Sequence, residues 1–255
     1  MEFRLLGPFE TRHQGKLIEL RGGTYPKILV LLLLGDGSAV SIVRIVDALW
    51  DDAPPSTAWR QVRNRVASLR RVLRAHGHDP VQTVPQGYRI HTGEVDCDSS
   101  HFAAFTDRAR AIAQDGRLRE AVQIMDDALA LWTGPALMGL SGKVFEASSL
   151  RLEESRLSAI ESRASWQLRL GLSARVIGEL SELIVAKPYR QQLVYLYMCA
   201  LQHDGRAADA LKAYEMYRSR LNDELGINPG QQLQQLYVSI LRDEMPYMDN
   251  RSLQF

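Results

Sequence analysis

Cysteine is scarce in this sequence. The two present, Cys97 and Cys199, stand alone without metal-ligand spacing, so neither a disulfide framework nor a zinc cluster is written into the chain. Long hydrophobic runs are missing as well. The longest purely aliphatic run, Ile28–Leu34, has seven residues, whereas a membrane-spanning helix needs about 20. The N-terminal MEFRLLGPFE lacks the basic-then-apolar layout of a signal peptide, and the expectation is a soluble, cytoplasmic chain with no membrane partner. Neither sign of charge dominates, the formal net charge being +1. What is present, 255 residues with 45% hydrophobic and 24% charged, suits one or two globular domains rather than a disordered or fibrous chain.

The balanced total hides an asymmetry. Residues 1–95 carry 13 Lys and Arg against 9 Asp and Glu, while residues 96–255 carry 18 against 21. Eleven of the 13 N-terminal cations are arginine, whose planar fork suits phosphate and guanine better than lysine does. A nucleic-acid-facing front and a protein-facing back would produce this pattern.

Residues 2–20 alternate loosely between turns and predict a short antiparallel meander of two or three strands. Pro26 sits where a first helical turn tolerates it, and Ile28–Leu34, apolar all round, predict a buried helix. Ser41 is a good N-cap for a second helix with Ile42, Ile45, Val46, Leu49 and Trp50 at helical spacing. A turn at 51–56 leads to a third helix from about Thr57 to Arg74. Val81–Val84 and Gly87–His91 around Pro85-Gln86 predict a hairpin. From Asp98 onward, helical patterns separated by Gly-centred breaks recur, Gly171 and Gly205 standing one tetratricopeptide period apart. The fold expected is therefore α+β, a winged helix-turn-helix over 1–95, then an all-α tetratricopeptide-like helical-repeat domain over 98–245 and a frayed tail at 246–255.

The third helix carries the most information. At about 100° per residue, Val62, Val66, Leu69 and Leu73 form one buried stripe. Opposite lie Arg60, Asn64, Ala67 and Arg71, with Thr57 and Ser68 beside them and Arg63, Arg65, Arg70 and Arg74 on the flanks. Forked donors for guanine, an amide for adenine and small residues for close approach are what a major-groove helix needs. Flanking arginines, Arg70 among them, can reach phosphates on the groove walls. A solvated cationic face is the ordinary reading of such a helix standing alone; its place between a Ser-capped helix and a hairpin turns the balance toward DNA. Gln86 and Arg89 are candidate wing contacts, Tyr88 is expected to pack beneath the hairpin, and Trp59 is expected to be a packing residue.

Catalytic readings fail. Gly142-Lys143 lacks the rest of a Walker A loop. His76-x-His78 lacks accompanying ligands, and the pairs Asp126-Asp127 and Glu153-Glu154 point apart on their helices and read as solvated faces. No cofactor or metal is expected, and no enzyme. A helical-repeat interaction scaffold, with Tyr195, Tyr197, Tyr214 and Tyr217 lining a groove, and a DNA-binding repressor remain as alternatives.

The segments Phe3–Pro8, Asp47–Trp50, Pro54-Pro55, Val66–Leu73 and Pro85–Tyr88 resemble the OmpR-type DNA-binding domain of the Streptomyces antibiotic regulatory proteins. Ala130–Leu137, Arg151–Glu154, Asp204–Leu211 and Glu224–Gly230 are similar to the bacterial transcriptional activation domain of that family. The resemblance runs from about residue 2 to 243. It implies a nucleoid-associated transcription activator that binds direct repeats of double-stranded promoter DNA near the −35 region as a homodimer. It also implies recruitment of RNA polymerase holoenzyme to a secondary-metabolite (antibiotic) gene cluster. The family's recognition face maps onto Thr57, Arg60, Arg63, Asn64, Ser68 and Arg71, and the turn from Asp51 to Ser56 maps onto the loop that faces polymerase, with Asp51 and Asp52 as the candidate contacts. Larger relatives carry a nucleotide-hydrolysing module after the activation domain, and this chain is expected to stop before one. Thr24–Lys27 departs from the family's more basic first-helix start, and Trp59 is unusually bulky for its position.

Overall fold

The computed structural model describes residues 1–20 and 22–243; Arg21 and the tail expected at 246–255 lie outside them. In chain order the elements are β1 (Glu2–Arg4), β2 (Glu10–His13), β3 (Lys16–Leu17), α1 (Thr24–Leu33), β4 (Val40–Ser41), α2 (Ile42–Trp50), α3 (Ala58–Arg74), β5 (Val81–Val84), β6 (Gly87–Ile90) and β7 (Asp96–Cys97). Helices follow: α4 (Asp98–Gln114), α5 (Leu118–Leu129), α6 (Lys143–Arg169), α7 (Ser173–Ala186), α8 (Gln191–His203), α9 (Ala207–Leu225) and α10 (Gln231–Leu241). The protein is mostly helical, with two small sheets near its N-terminus, ordered β3-β2-β1-β7 and β4-β6-β5.

The chain divides into two compact units, one formed by Met1–Thr106 and Asp127–Arg156, the other by Asp107–Asp126 and the chain from Leu157 onward. In the first unit, α1 buries every residue from Ile28 to Leu33, as an all-round apolar sequence demands. Ser41 caps α2 through its side chain, which accepts from the Arg44 amide at 3.2 Å. The stripe Ala58, Val62, Val66, Leu69 and Leu73 anchors α3 in the same core, and Arg71 and Arg74 in its last turn suit the negative end of the helix dipole.

This unit extends past residue 95 because β7 pairs with β1 and the residues that follow β1 find their backbone partners further along the chain. The Thr133 and Leu137 amides donate to the Leu6 and Leu5 carbonyls, each at 2.8 Å, and the Met138 amide donates to Gly7 at 3.1 Å. Pro8 and Met138 form a parallel bridge. Approach is so close that a Cβ on Gly7 would lie 2.1 Å from the Thr133 hydroxyl. Asp98, at the start of α4, accepts from the Leu5 amide at 2.8 Å and the Leu6 amide at 3.0 Å. Glu153 of α6 accepts from the Ala136 amide at 2.8 Å, and Phe102 meets Trp132 edge-on at 5.4 Å.

The hairpin β5–β6 is joined by β4, pairing Val40 with Tyr88 and Ser41 with Gly87. A Cβ on Gly87 would stand 2.0 Å from the Val40 carbonyl oxygen, and backbone cannot yield as a flexible side chain can. Gly87→Ala is therefore expected to prise β4 from β6 and to cost about 1–3 kcal/mol in urea unfolding, with the Ser41 and Gly87 amides losing hydrogen-exchange protection first.

In the second unit, α7 packs on α8, α8 on α9, and α10 against both α8 and α9. α8 buries eight residues, among them Leu193, Leu196, Met198 and Leu201. Tyr195, Tyr214 and Tyr217 belong to this core. A charged lattice ties the helices: Arg163 of α6 donates to Asp126 of α5 at 2.6 Å and to Glu179 of α7, and Arg175 reaches Asp126 at 3.0 Å. Asp126 and Glu153 thus correct the expectation of solvated acidic faces.

Candidate nucleic-acid interface

Burying one stripe of α3 fixes which residues it presents on the other side. Arg60, Arg63, Asn64, Ala67 and Arg71 are exposed, and Thr57 and Ser68 are half-buried. Among the described residues, no hydrogen bond or ion pair engages the side chains of Arg60, Arg63, Asn64 or Arg71. Three guanidinium groups and an amide therefore stand on one face with their donors free. Thr57 is partly spoken for, since its hydroxyl accepts from the Gln61 amide nitrogen at 3.0 Å.

The other arginines of α3 are committed within the protein. Arg65 donates to the Thr24 hydroxyl and lies 5.7 Å from the Trp50 ring. Arg74 pairs with Asp79 at 2.5 Å. Arg70, expected at a phosphate, directs Nε and Nη2 to the Val81 carbonyl at 2.8 and 2.6 Å and also reaches the Thr83 hydroxyl at 3.0 Å. Its guanidinium sits 6.0 Å from the Tyr88 ring. The side chain braces the helix against the hairpin. Arg70→Ala is expected to cost about 1–3 kcal/mol of stability by orphaning the Val81 carbonyl, read by thermal unfolding; an unchanged melt would show the brace to be idle.

At the hairpin, Gln86 is exposed on the tip, and Arg89 is exposed with its Nε donating to Gln82 at 3.0 Å. Tyr88 is buried beneath, as its apolar ring requires. Trp59 departs from expectation: 51% of it is exposed, because it lies one residue beyond the buried Ala58 at the edge of the stripe rather than on it.

The Asp51–Asp52 turn is also exposed. Asp51 takes a left-handed φ of 47°, its carboxylate accepts from the Lys143 amide at 3.3 Å, and Asp52 accepts from the Lys143 ammonium at 2.5 Å. Asp51 thus caps the positive end of α6, and the Asp52 hydrogen bond holds the Lys143 ammonium in its charged form. Lys143 carries no periodicity that would have singled it out; the signal lies in the lysine opening a long helical pattern after Gly142.

Nothing in the chain is arranged for nucleophilic chemistry at its two thiols. Burial pushes Cys199 up to about 12 and raises Cys97 as well, so both stay protonated at neutral pH. His78 Nε2 lies 3.2 Å from His13 Nδ1, and His76 Nδ1 lies 3.0 Å from the Val72 carbonyl. Among the described residues, no three His, Cys, Asp or Glu side chains assemble a metal site, and no helix is long and apolar enough to cross a membrane.

The model of the bacterial transcriptional activator domain matches residues 97–241. The regulatory protein AfsR of Streptomyces griseus is 33% identical over 245 residues, covering 95% of this chain and 24% of AfsR. The regulatory protein DnrI of Streptomyces peucetius is 31% identical, covering 95% of this chain and 92% of DnrI. Among solved structures, Mycobacterium tuberculosis EmbR in complex with a low-affinity phosphopeptide superposes with a TM-score of 0.92 and 30% identity, over 99% of this chain and 67% of that one. The chain spans only about a quarter of the AfsR relatives it matches.

Proposed function

Because this chain belongs to the bacterial transcriptional activator domain family of Streptomyces antibiotic regulatory proteins, whose named relatives are regulatory proteins and transcriptional regulators, we propose that it is a transcription activator that reads promoter DNA through α3. In this reading α1 to α3 and the β5–β6 hairpin work as a winged helix, α3 lies in the major groove, and Gln86 and Arg89 approach the flanking backbone. The helices from α4 onward act as tetratricopeptide-like repeats that support a homodimer on direct repeats near the −35 region. RNA polymerase holoenzyme is then recruited, in the cytoplasm at the nucleoid, to a secondary-metabolite gene cluster.

The observation that carries this reading is the row Arg60, Arg63, Asn64 and Arg71, exposed and unengaged on a 17-residue helix whose opposite side is locked in the core. Free forked donors on a rigid rod are preorganised for base edges and phosphates. The test is selection of bound duplexes from a random pool, followed by footprinting and in vitro transcription with purified polymerase. Protected direct repeats with raised transcript would support the proposal. Absence of any sequence-selective binding would leave a protein-interaction scaffold, and lowered transcript would make the chain a repressor.

The Asp51–Asp52 turn is the proposed polymerase-facing element. Asp52→Ala removes one exposed, solvent-screened ion pair, so it is expected to leave DNA binding within twofold and to lower polymerase-dependent transcript. Lost DNA binding in that variant would refute the assignment.

A further inference from the structure

Four tryptophans are present, and three are covered. Trp132 and Trp166 are each 8% exposed, and Trp50 is half-buried beneath the Arg65 guanidinium at 5.7 Å. Trp59 alone leaves half its surface, 51%, in water, at an unfavourable cost for so large a ring. Among the described residues no aromatic ring or cation stacks on it. We propose that Trp59 is a DNA-backbone contact, its indole face packing on a deoxyribose at the wall of the major groove and its Nε1–H donating to a neighbouring phosphate. The inference rests on the reading of α3 as the DNA-facing helix and adds a second kind of contact to it.

Position on the helix selects the backbone over the bases. At about 100° per residue, Trp59 lies some 60° from the buried axis through Val62, while Arg60 and Asn64 lie near the outward axis. Arg63 follows Trp59 by four residues and is its neighbour on the helix surface. The pair therefore presents an apolar plate with one donor beside an unengaged guanidinium, along the flank of the face that would meet the groove. Sugar alternating with phosphate is the surface that such a pair complements, because indole offers an apolar body with one N–H at its edge.

Charge argues against a second copy as the occupant. A two-fold contact through this face would set Arg60 and Arg63 of one molecule against the same residues of the other. A polyanion has no such conflict.

Apolar packing and a neutral hydrogen bond release no counterions, whereas each arginine–phosphate contact does. The experiment measures affinity of the full chain, by fluorescence anisotropy over a series of salt concentrations, for a short duplex selected in vitro by the wild-type chain and for a scrambled duplex of equal length. Trp59→Ala is expected to weaken both by about tenfold and to leave the salt slope unchanged. Trp59→Phe should recover part of the loss, and Arg63→Ala should shallow the slope by about one. Acrylamide, a neutral quencher, should reach Trp59 in the free protein and lose access when duplex is added. Trp59→Ala binding equal to wild type, or a slope that falls with it, would overturn the proposal. Protection from acrylamide that grows with protein concentration without DNA would overturn it in favour of self-association. A wild-type chain that selects no duplex would instead sink the DNA-facing reading of α3, which separates the two failures.

Discussion

Replacing Arg60 and Asn64 together by alanine should remove sequence selectivity while leaving the fold intact. Both side chains stand on the outward face of α3 without a partner among the described residues, so truncation orphans no buried group, and stability should change by less than about 0.5 kcal/mol. In the reading proposed above, with α3 in the major groove, each would make a paired contact to a base edge, worth about 1–3 kcal/mol of discrimination. The double variant should therefore bind its selected duplex on the order of a thousandfold more weakly at fixed salt. Binding to scrambled duplex should fall far less, because Arg63 and Arg71 still supply ion release. Anisotropy titrations on the two duplexes beside a thermal melt would establish this. Selectivity that survived with an unchanged melt would place the reading surface elsewhere.

The second large effect lies away from the proposed interface. Asp98→Ala should cost about 2–4 kcal/mol in urea unfolding, because the Leu5 and Leu6 amides lose the acceptor they share. Both leucines are fully buried and Asp98 is half-buried, so water can replace the carboxylate only in part. Burial raises the Asp98 pKa above its ordinary 3.8, and the two amides only partly pull it down. A raised folded-state value means that the group favours folding most below pH about 4 and loses that contribution as pH rises through its folded pKa. Asp98→Asn keeps an acceptor and carries no charge, so it should restore most of the loss from the alanine variant and do relatively better at neutral pH than in acid. An asparagine variant as unstable as the alanine one at neutral pH would show that the charge, and not the acceptor, holds Leu5 and Leu6.

What could be read from the residues was what local chemistry determines. Ser41 announces the start of α2, the Val62–Leu73 stripe sets the rotation of α3, and Val81–Val84 with Gly87–His91 around Pro85-Gln86 gives the hairpin. Two-residue strands such as β4 and β7 carry no period to detect, and both owe their existence to distant partners, Tyr88 and Gly87 for one and Glu2 and Phe3 for the other. Among the arginines of α3, angular position alone could not separate Arg63 from Arg70. They differ because the carbonyl of Val81 arrives beside one of them, a fact of tertiary packing. Trp59 differs for a related reason: its angle near the edge of the buried stripe predicts packing, but no neighbouring element covers that edge and half of the ring is exposed. Asp98 and Lys143 escaped notice because each acts on backbone or side chains more than 90 residues away.

The seam between Leu5–Pro8 and Thr133–Met138 bears on how regulators of this kind can be recombined. Phe3–Pro8 and Ala130–Leu137 stood out in the sequence as separate motifs, yet they are two halves of one closure. A chimera that grafts residues 1–95 onto a foreign output module would carry an open β1 edge, with the Leu5, Leu6 and Gly7 carbonyls stripped of their donors, and such an edge invites pairing with other chains. A portable cassette must instead run through Arg156, bringing residues 107–126 along as passengers. The first compact unit can thus be exchanged between relatives only by a crossover placed within the long helix α6, not by one at the point where the charge pattern changes.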